Sequence, residues 1–434
     1  MTSPNHTNPI PGPDDIARRE LPNGIVVLAR ENFTAQSVVV AGSLPAGSLF
    51  DPPGADGLAS FTSSAMMFGT QNRSFDDLHE TLEGIGADFD FSAGVHTCGF
   101  GGKALAEDLP VLLDIMQDAL RHPTFPPEHV ERLRGQYITG MQIRMHDTRY
   151  RAGRAFREMA YPDAHPYRRS SSGTLDTLPT ITRDMLVDFH ARHYGPRSMI
   201  ITVVGAVQAD AALDAVEAAI GGWQNPDQPD VPALPPVPAL TGVQQAHIPL
   251  PDKTQADIHL GVPGPTRHDP DFHAARLVNS VLGLFGMMGR LGKNVREAQG
   301  LAYYSYSLVE GQDGPGPWRV MAGVNPANVQ QAVDSILHEI ERITQEPVSE
   351  TDLSDNKANF TGQLPLQLES NEGVASAILR MERYDLGLDY LRTYTDVINA
   401  LTADDLLRAA QTYFKPGAYA LAVAGPEMDG ASGA

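Results

Sequence analysis

Apolar positions along the chain change period in a recurring order. Alternating or continuous apolar runs at 24–30 and 37–44 predict strands. Beyond them, apolar residues recur every three or four positions at 58–68, 75–85, 106–120 and 127–147, which predicts amphipathic helices. Strands gathered early and helices later predict an α+β fold, with helices packed on a mostly antiparallel sheet. Residues 225–241 break the pattern with Pro226, Pro229, Pro232, Pro235, Pro236 and Pro238. Proline at that density favours extended backbone and excludes a helix or a central strand, so this stretch predicts a linker.

The halves on either side of it repeat. Ile181-Thr182-Arg183-Asp184-Met185-Leu186 is echoed by Leu401-Thr402-Ala403-Asp404-Asp405-Leu406, an offset of 220. The same offset carries Tyr194-Gly195-Pro196 to Phe414-Lys415-Pro416, and Gly205 to Gly425. Each copy predicts a Thr-capped helix, an aromatic and a proline, then an apolar strand at 199–204 or 419–424. Three such landmarks at one offset indicate a duplication. The expected plan is a polar tail at 1–18, domains at 19–224 and 242–426 joined by the linker 225–241, and a short tail at 427–434.

Composition narrows the function. The net charge of −21 argues against broad binding to nucleic acid or anionic membrane, which need a basic surface. Residues 1–15 are polar and show no secretory signal, and no run of about 18 apolar residues predicts a spanning helix. Cys98 is the lone cysteine, which rules out an intrachain disulfide and a thiolate cluster. A reducing cytoplasm is the expected compartment.

Several segments in order carry a resemblance. They are Leu21-Pro22-Asn23-Gly24, Gly57-Leu58-Ala59 with Met67-Phe68-Gly69-Thr70, His165-Pro166-Tyr167 with Gly173-Thr174, and residues 255–264. The most specific is Arg290-Leu291 through Val295-Arg296-Glu297 to Gly300-Leu301-Ala302-Tyr303. Together, from about residue 19 to 425, they resemble the pitrilysin/insulinase superfamily of zinc peptidases, in its short bacterial branch related to the mitochondrial processing peptidase. The resemblance implies two homologous domains forming half of a clamshell peptidase. In that family H-x-x-E-H supplies two zinc ligands and a general base. Here the five positions are Ser60, Phe61, Thr62, Ser63 and Ser64. The family's third ligand, a Glu roughly 75 to 80 residues on, would fall near 140–142, where Gly140-Met141-Gln142 carries no carboxylate. No metal ligands and no cofactor are therefore expected in this chain, and zinc is expected in a partner.

Arg296 and Tyr303 keep the seven-residue spacing of a pair that the family's non-zinc chain projects into the partner's site. A helix over 274–299 capped at Gly300, then a strand from 301, would place Arg296 on the last turn and Tyr303 near the strand start. The resemblance implies that both stabilise the oxyanion formed during peptide hydrolysis. The blander assignment is a helix C-terminal charge and a sheet residue. Tyr304 and Tyr306 should face the other way and pack. His190 and His193 read as a solvated helix face, and Asp269-Pro270 as a helix start beside His268. Gly283, Gly286, Gly289 and Gly292 fail the Walker pattern and suit helix packing or, by the resemblance, substrate contact. Arg144, Arg149, Arg151, Arg154 and Arg157 form a basic island, read as a solvated face, or else as a chamber wall attracting acidic peptides or the edge that meets the partner.

The leading expectation is a non-zinc subunit of a heterodimeric zinc metallopeptidase, not active alone. Its partners would be a homologous H-x-x-E-H-bearing chain and peptide substrates, and in isolation the architecture can close on itself as a homodimer. The alternative is a catalytically inactive peptidase-like scaffold or a peptide-binding protein.

Overall fold

The computed structural model describes residues 9–427. Residues 1–8 of the expected N-terminal tail and 428–434 of the C-terminal one lie outside the described residues.

Two compact units divide the chain. The first is Met1–Thr139, Ser170–Pro232 and Gln363–Thr395, and the second is Gly140–Arg169, Ala233–Gly362 and Asp396–Ala434. The first holds strands β1 (Ala17–Glu20), β2 (Val26–Glu31), β3 (Ser37–Leu44), β4 (Asp88–Ala93), β5 (Cys98–Leu105) and β6 (Ile200–Gly205) in the order β1-β2-β6-β3-β5-β4. The second holds β7 (Gln244–Pro249), β8 (Ala256–Pro263), β9 (Ala302–Val309), β10 (Pro317–Val324) and β11 (Ala420–Gly425) in the order β7-β11-β8-β10-β9.

Apart from the extra β1, the two plans coincide. Each unit's last strand pairs parallel with an early one, β6 with β2 and β11 with β7, and every other pairing is antiparallel. The units are thus homologous, and the sheets are mixed by one parallel pair each. The 220-residue offset is visible in the geometry. Helices Arg183–His193 and Ala403–Tyr413 both start from a Thr capping box and lead into β6 and β11. Residues 226–241 form neither helix nor strand.

Apolar burial explains why the helices dock. In the first unit Val38, Val40, Ile201 and Val203 are fully buried. In the second, Trp318 is buried and donates its indole N–H to Asn279 Oδ1 at 2.9 Å. Each unit also takes a helix from the other half of the sequence. Asn371–Arg383 packs on β3 and β6 through Val374, Ala375, Ile378 and Met381, with Thr202 Oγ1 donating to the Ala375 carbonyl at 3.4 Å. Thr148–Ala160 packs on β8 and β11 and buries Ala152, Phe156 and Ala160. Among the described residues, no helix is long and apolar enough to cross a membrane.

Candidate functional site

The frame of the zinc helix is intact as backbone. Helix Leu58–Ala65 follows Gly57, whose φ of 94° requires the left-handed region open to glycine. The Asp51 carboxylate accepts from the Gly57 and Ala59 amides, both at 2.8 Å, and so satisfies the first turn. Ser60 and Ser64, one turn apart, turn to the same neighbour. The Tyr137 hydroxyl lies 3.2 Å from Ser60 Oγ and 2.8 Å from Ser64 Oγ, and is 3.1 Å from the Ser60 carbonyl. Ser63, at the position of the general base, donates to the Ser60 carbonyl at 2.9 Å and accepts from the Ala93 amide at 3.1 Å.

Tyr137 was not foreseen. It sits on helix Pro127–Met145, one turn before the Gly140 position scanned for a third ligand, and its ring packs on Phe61 at 5.1 Å. A search of that helix for any side chain able to reach Ser60, rather than for a carboxylate alone, would have found it. These hydroxyls do not fit zinc. They are hard, weak donors beside imidazole or carboxylate, and they are engaged with one another. Among the described residues, no three His, Cys, Asp or Glu side chains gather as a metal site.

The single helix expected over 274–299 is broken. Phe272–Gly283 is regular, but Gly286, Met288 and Gly289 have φ of 63°, 70° and 60° inside the following Phe285–Leu291 segment. Glycine is required at 289, where a Cβ would stand 2.6 Å from the Val281 carbonyl oxygen. The chain then widens into a π-helical turn, Gly292–Ala298, which carries Arg296. Gly300, at φ 63°, ends it as predicted, its amide donating to the Arg296 carbonyl at 3.1 Å.

Tyr303 owes its position to a bulge. Along β10, Gly323 pairs with Tyr304 but Val324 pairs with Ala302, so Tyr303 is the extra residue. Its side chain is 81% exposed, while Arg296 is half-buried. Neither has a side-chain hydrogen bond or ion pair among the described residues. Tyr304, by contrast, is buried, accepts from Arg149 Nε at 2.9 Å and donates to Asp257. Burial, reinforced by Asp257, raises its pKa.

Other sequence candidates resolve as packing. His190 and His193 are not a solvated face. His190 Nε2 donates to the Leu120 carbonyl at 2.9 Å, and His193 lies 4.5 Å from Phe189 and 4.7 Å from Phe50. Burial pushes both imidazoles down to about 4. The helix expected at Asp269-Pro270 starts instead at Phe272, with Asp269 accepting from the Thr266 amide. The basic island is only partly solvated, since Arg149 lies 4.1 Å over the Tyr304 ring and Arg154 pairs with Glu158 at 2.7 Å.

Comparison with known proteins agrees with this architecture. Residues 26–163 match the profile described as insulinase (peptidase family M16), and residues 180–360 match that of the peptidase M16 inactive domain. An uncharacterized zinc protease of Bacillus subtilis is 25% identical, over 95% of this chain and 98% of the relative. The beta subunit of the Saccharomyces cerevisiae mitochondrial-processing peptidase is 24% identical, over 83% and 80%. A peptidase M16 inactive domain from Pseudomonas fluorescens shares the fold with a TM-score of 0.86 at 24% identity, covering 95% of this chain and 98% of that one. A protease from Helicobacter pylori does so with 0.87 at 20%, covering 95% and 99%. The two profile matches span well over half of the sequence, and the chain belongs to peptidase family M16, the insulinase family.

Proposed function

We propose that this chain is the non-zinc subunit of a heterodimeric zinc metallopeptidase of the cytoplasm. It binds peptide and stabilises the transition state at the zinc site of a homologous H-x-x-E-H-bearing partner. The observation that carries the reading is a contrast. The zinc-helix positions are closed by hydroxyls bonded to Tyr137, while the Arg296 and Tyr303 side chains have no hydrogen-bond or ion-pair partner among the described residues, with a bulge holding Tyr303 out. That one relative is named as a subunit of the mitochondrial-processing peptidase supports a multi-chain peptidase, and that a structural neighbour is named an inactive domain supports the loss of zinc.

In this reading the partner supplies zinc and the general base. The Arg296 guanidinium and the Tyr303 hydroxyl donate to the oxygen that gains charge as the peptide carbonyl is attacked.

The test uses the complex purified from its native extract and a quenched peptide pool. Chelator-sensitive hydrolysis should be absent from the chain alone. It should fall about 10²–10³-fold in Arg296→Ala or Tyr303→Phe complexes. Full activity in both variants would leave the inactive scaffold as the better account.

A further inference from the structure

One face of the second sheet carries charge that its own partners do not balance. Cross-strand pairing sets Asp257 and Tyr304 in one row, His259 and Tyr306 in the next and Arg319 in the third. Helix Thr148–Ala160 crosses this face and adds Arg149, whose guanidinium is 4.1 Å from the Tyr304 ring centre and 6.0 Å from that of Tyr306. Arg157, from the same helix, and Arg319 share one carboxylate, that of Glu310, at 3.4 and 3.0 Å. Asp257 is already engaged by Thr148, Gln255 and Tyr304.

His259 sits in the middle. It is 3% exposed, and among the described residues neither ring nitrogen has a partner; the buried Arg319 Nε also lacks one there. Burial first, then Arg319, Arg149 and Arg157, hold the His259 pKa well below its usual value, and helix Thr148–Ala160 lies on the ring at Gly153, where a Cβ would stand 3.0 Å from Cε1. The face remains open at its rim, since Arg149 is exposed, Tyr306 half-buried and Leu308 36% exposed. In a chain of net charge −21, this is a local arrangement and not a reflection of composition.

Two guanidiniums that share one carboxylate, a third stacked on the neighbouring aromatic rings, and a buried Arg319 Nε without a partner among the described residues form a preorganised anion site. The planar, bidentate partner that matches them is a carboxylate. We propose that this face is a carboxylate-binding subsite. It takes an acidic side chain or the C-terminal carboxylate of a peptide between Arg149 and the Arg157–Arg319 pair, beside Tyr306. The proposal rests on the peptide-binding part of the function above and adds a preference among peptides.

The experiment is direct binding to the full chain by fluorescence anisotropy, without partner or turnover. Three labelled hexapeptides of Ala and Ser are compared. One has a central Glu and an amidated end, one has Gln in its place, and one has Gln and a free C-terminal carboxylate. At least one carboxylate peptide should bind about tenfold or more tightly than the neutral one, with an advantage that shrinks as salt rises. Which of the two does so identifies the carboxylate source. The Arg149→Gln/Arg157→Gln variant, checked for unchanged circular dichroism, should lose that preference. Equal binding of all three peptides, no binding at all, or a preference that survives the double variant would overturn the subsite. Should the variant misfold, the wild-type comparison still decides. None of these outcomes bears on Arg296 and Tyr303, whose test is turnover in the complex.

Discussion

Tyr137 is the residue around which the altered zinc helix is organised. Two serines one turn apart share its hydroxyl, so removing that oxygen leaves both without it in a partly buried place. Tyr137→Phe should lower stability by about 1–2 kcal/mol, measured by chemical denaturation. Histidines set a second property. Burial depresses the pKa of His190, His193 and His273 to about 4. In the unfolded chain each takes a proton near pH 6.5, before the folded chain can. Stability is therefore full above about pH 6.5 and declines as pH falls toward 4. His190, half-buried with its ring bonded to the Leu120 carbonyl, contributes on the order of 1–2 kcal/mol of that loss. A denaturation midpoint that stays flat from pH 7 to 4 would contradict this. Residue chemistry of this kind was hidden in the sequence. A histidine three residues from another reads as an exposed pair until the Phe50 ring and the Leu120 carbonyl arrive from distant positions.

At the scale of elements the duplication makes internal controls available. The two capping boxes differ in the third helical residue, the Met185 thioether at 3.5 Å from the Thr182 amide against the Asp405 carboxylate at 2.8 Å from that of Thr402. Hydrogen bonds from Thr402 lower the Asp405 pKa to about 2. Asp405→Asn should therefore cost more stability at neutral pH than Met185→Leu, by on the order of 0.5–1 kcal/mol. The difference should vanish as pH falls from about 4 toward 2. The bulge gives a sharper test. A Cβ at Gly323 would meet the Tyr304 ring at 2.5 Å, so Gly323→Ala must shift the bulge that sets out Tyr303. Turnover of the complex should drop, by up to about 10²-fold, with Tyr303 itself untouched. Strands, capped helices and the linker were legible because each follows from local periodicity or turn chemistry. The break after Gly283 was not. Its apolar spacing continues through 284–291, and only the close return of the chain onto Val281 and Ser307 shows why glycines stand there.

For the whole molecule, the Pro-rich stretch marks where the sequence halves meet but does not separate two self-sufficient folds. A fragment ending at residue 232 lacks the Asn371–Arg383 helix that covers β3 and β6. Expressed alone it should bind a hydrophobic dye or aggregate, and co-expression with the 233–434 fragment should restore a soluble product. A soluble, cooperatively unfolding 1–232 fragment would show that the cover is dispensable. The same exchange sets a timetable for synthesis. The last strand of the first sheet ends at Gly205, yet its covering helix begins at Asn371, roughly 170 residues later. At about 5–20 residues per second, the ribosome leaves that apolar face waiting for roughly 10–30 s. The nascent chain is thus a long-lived client for chaperones, and slowed translation of the second half lengthens its exposure.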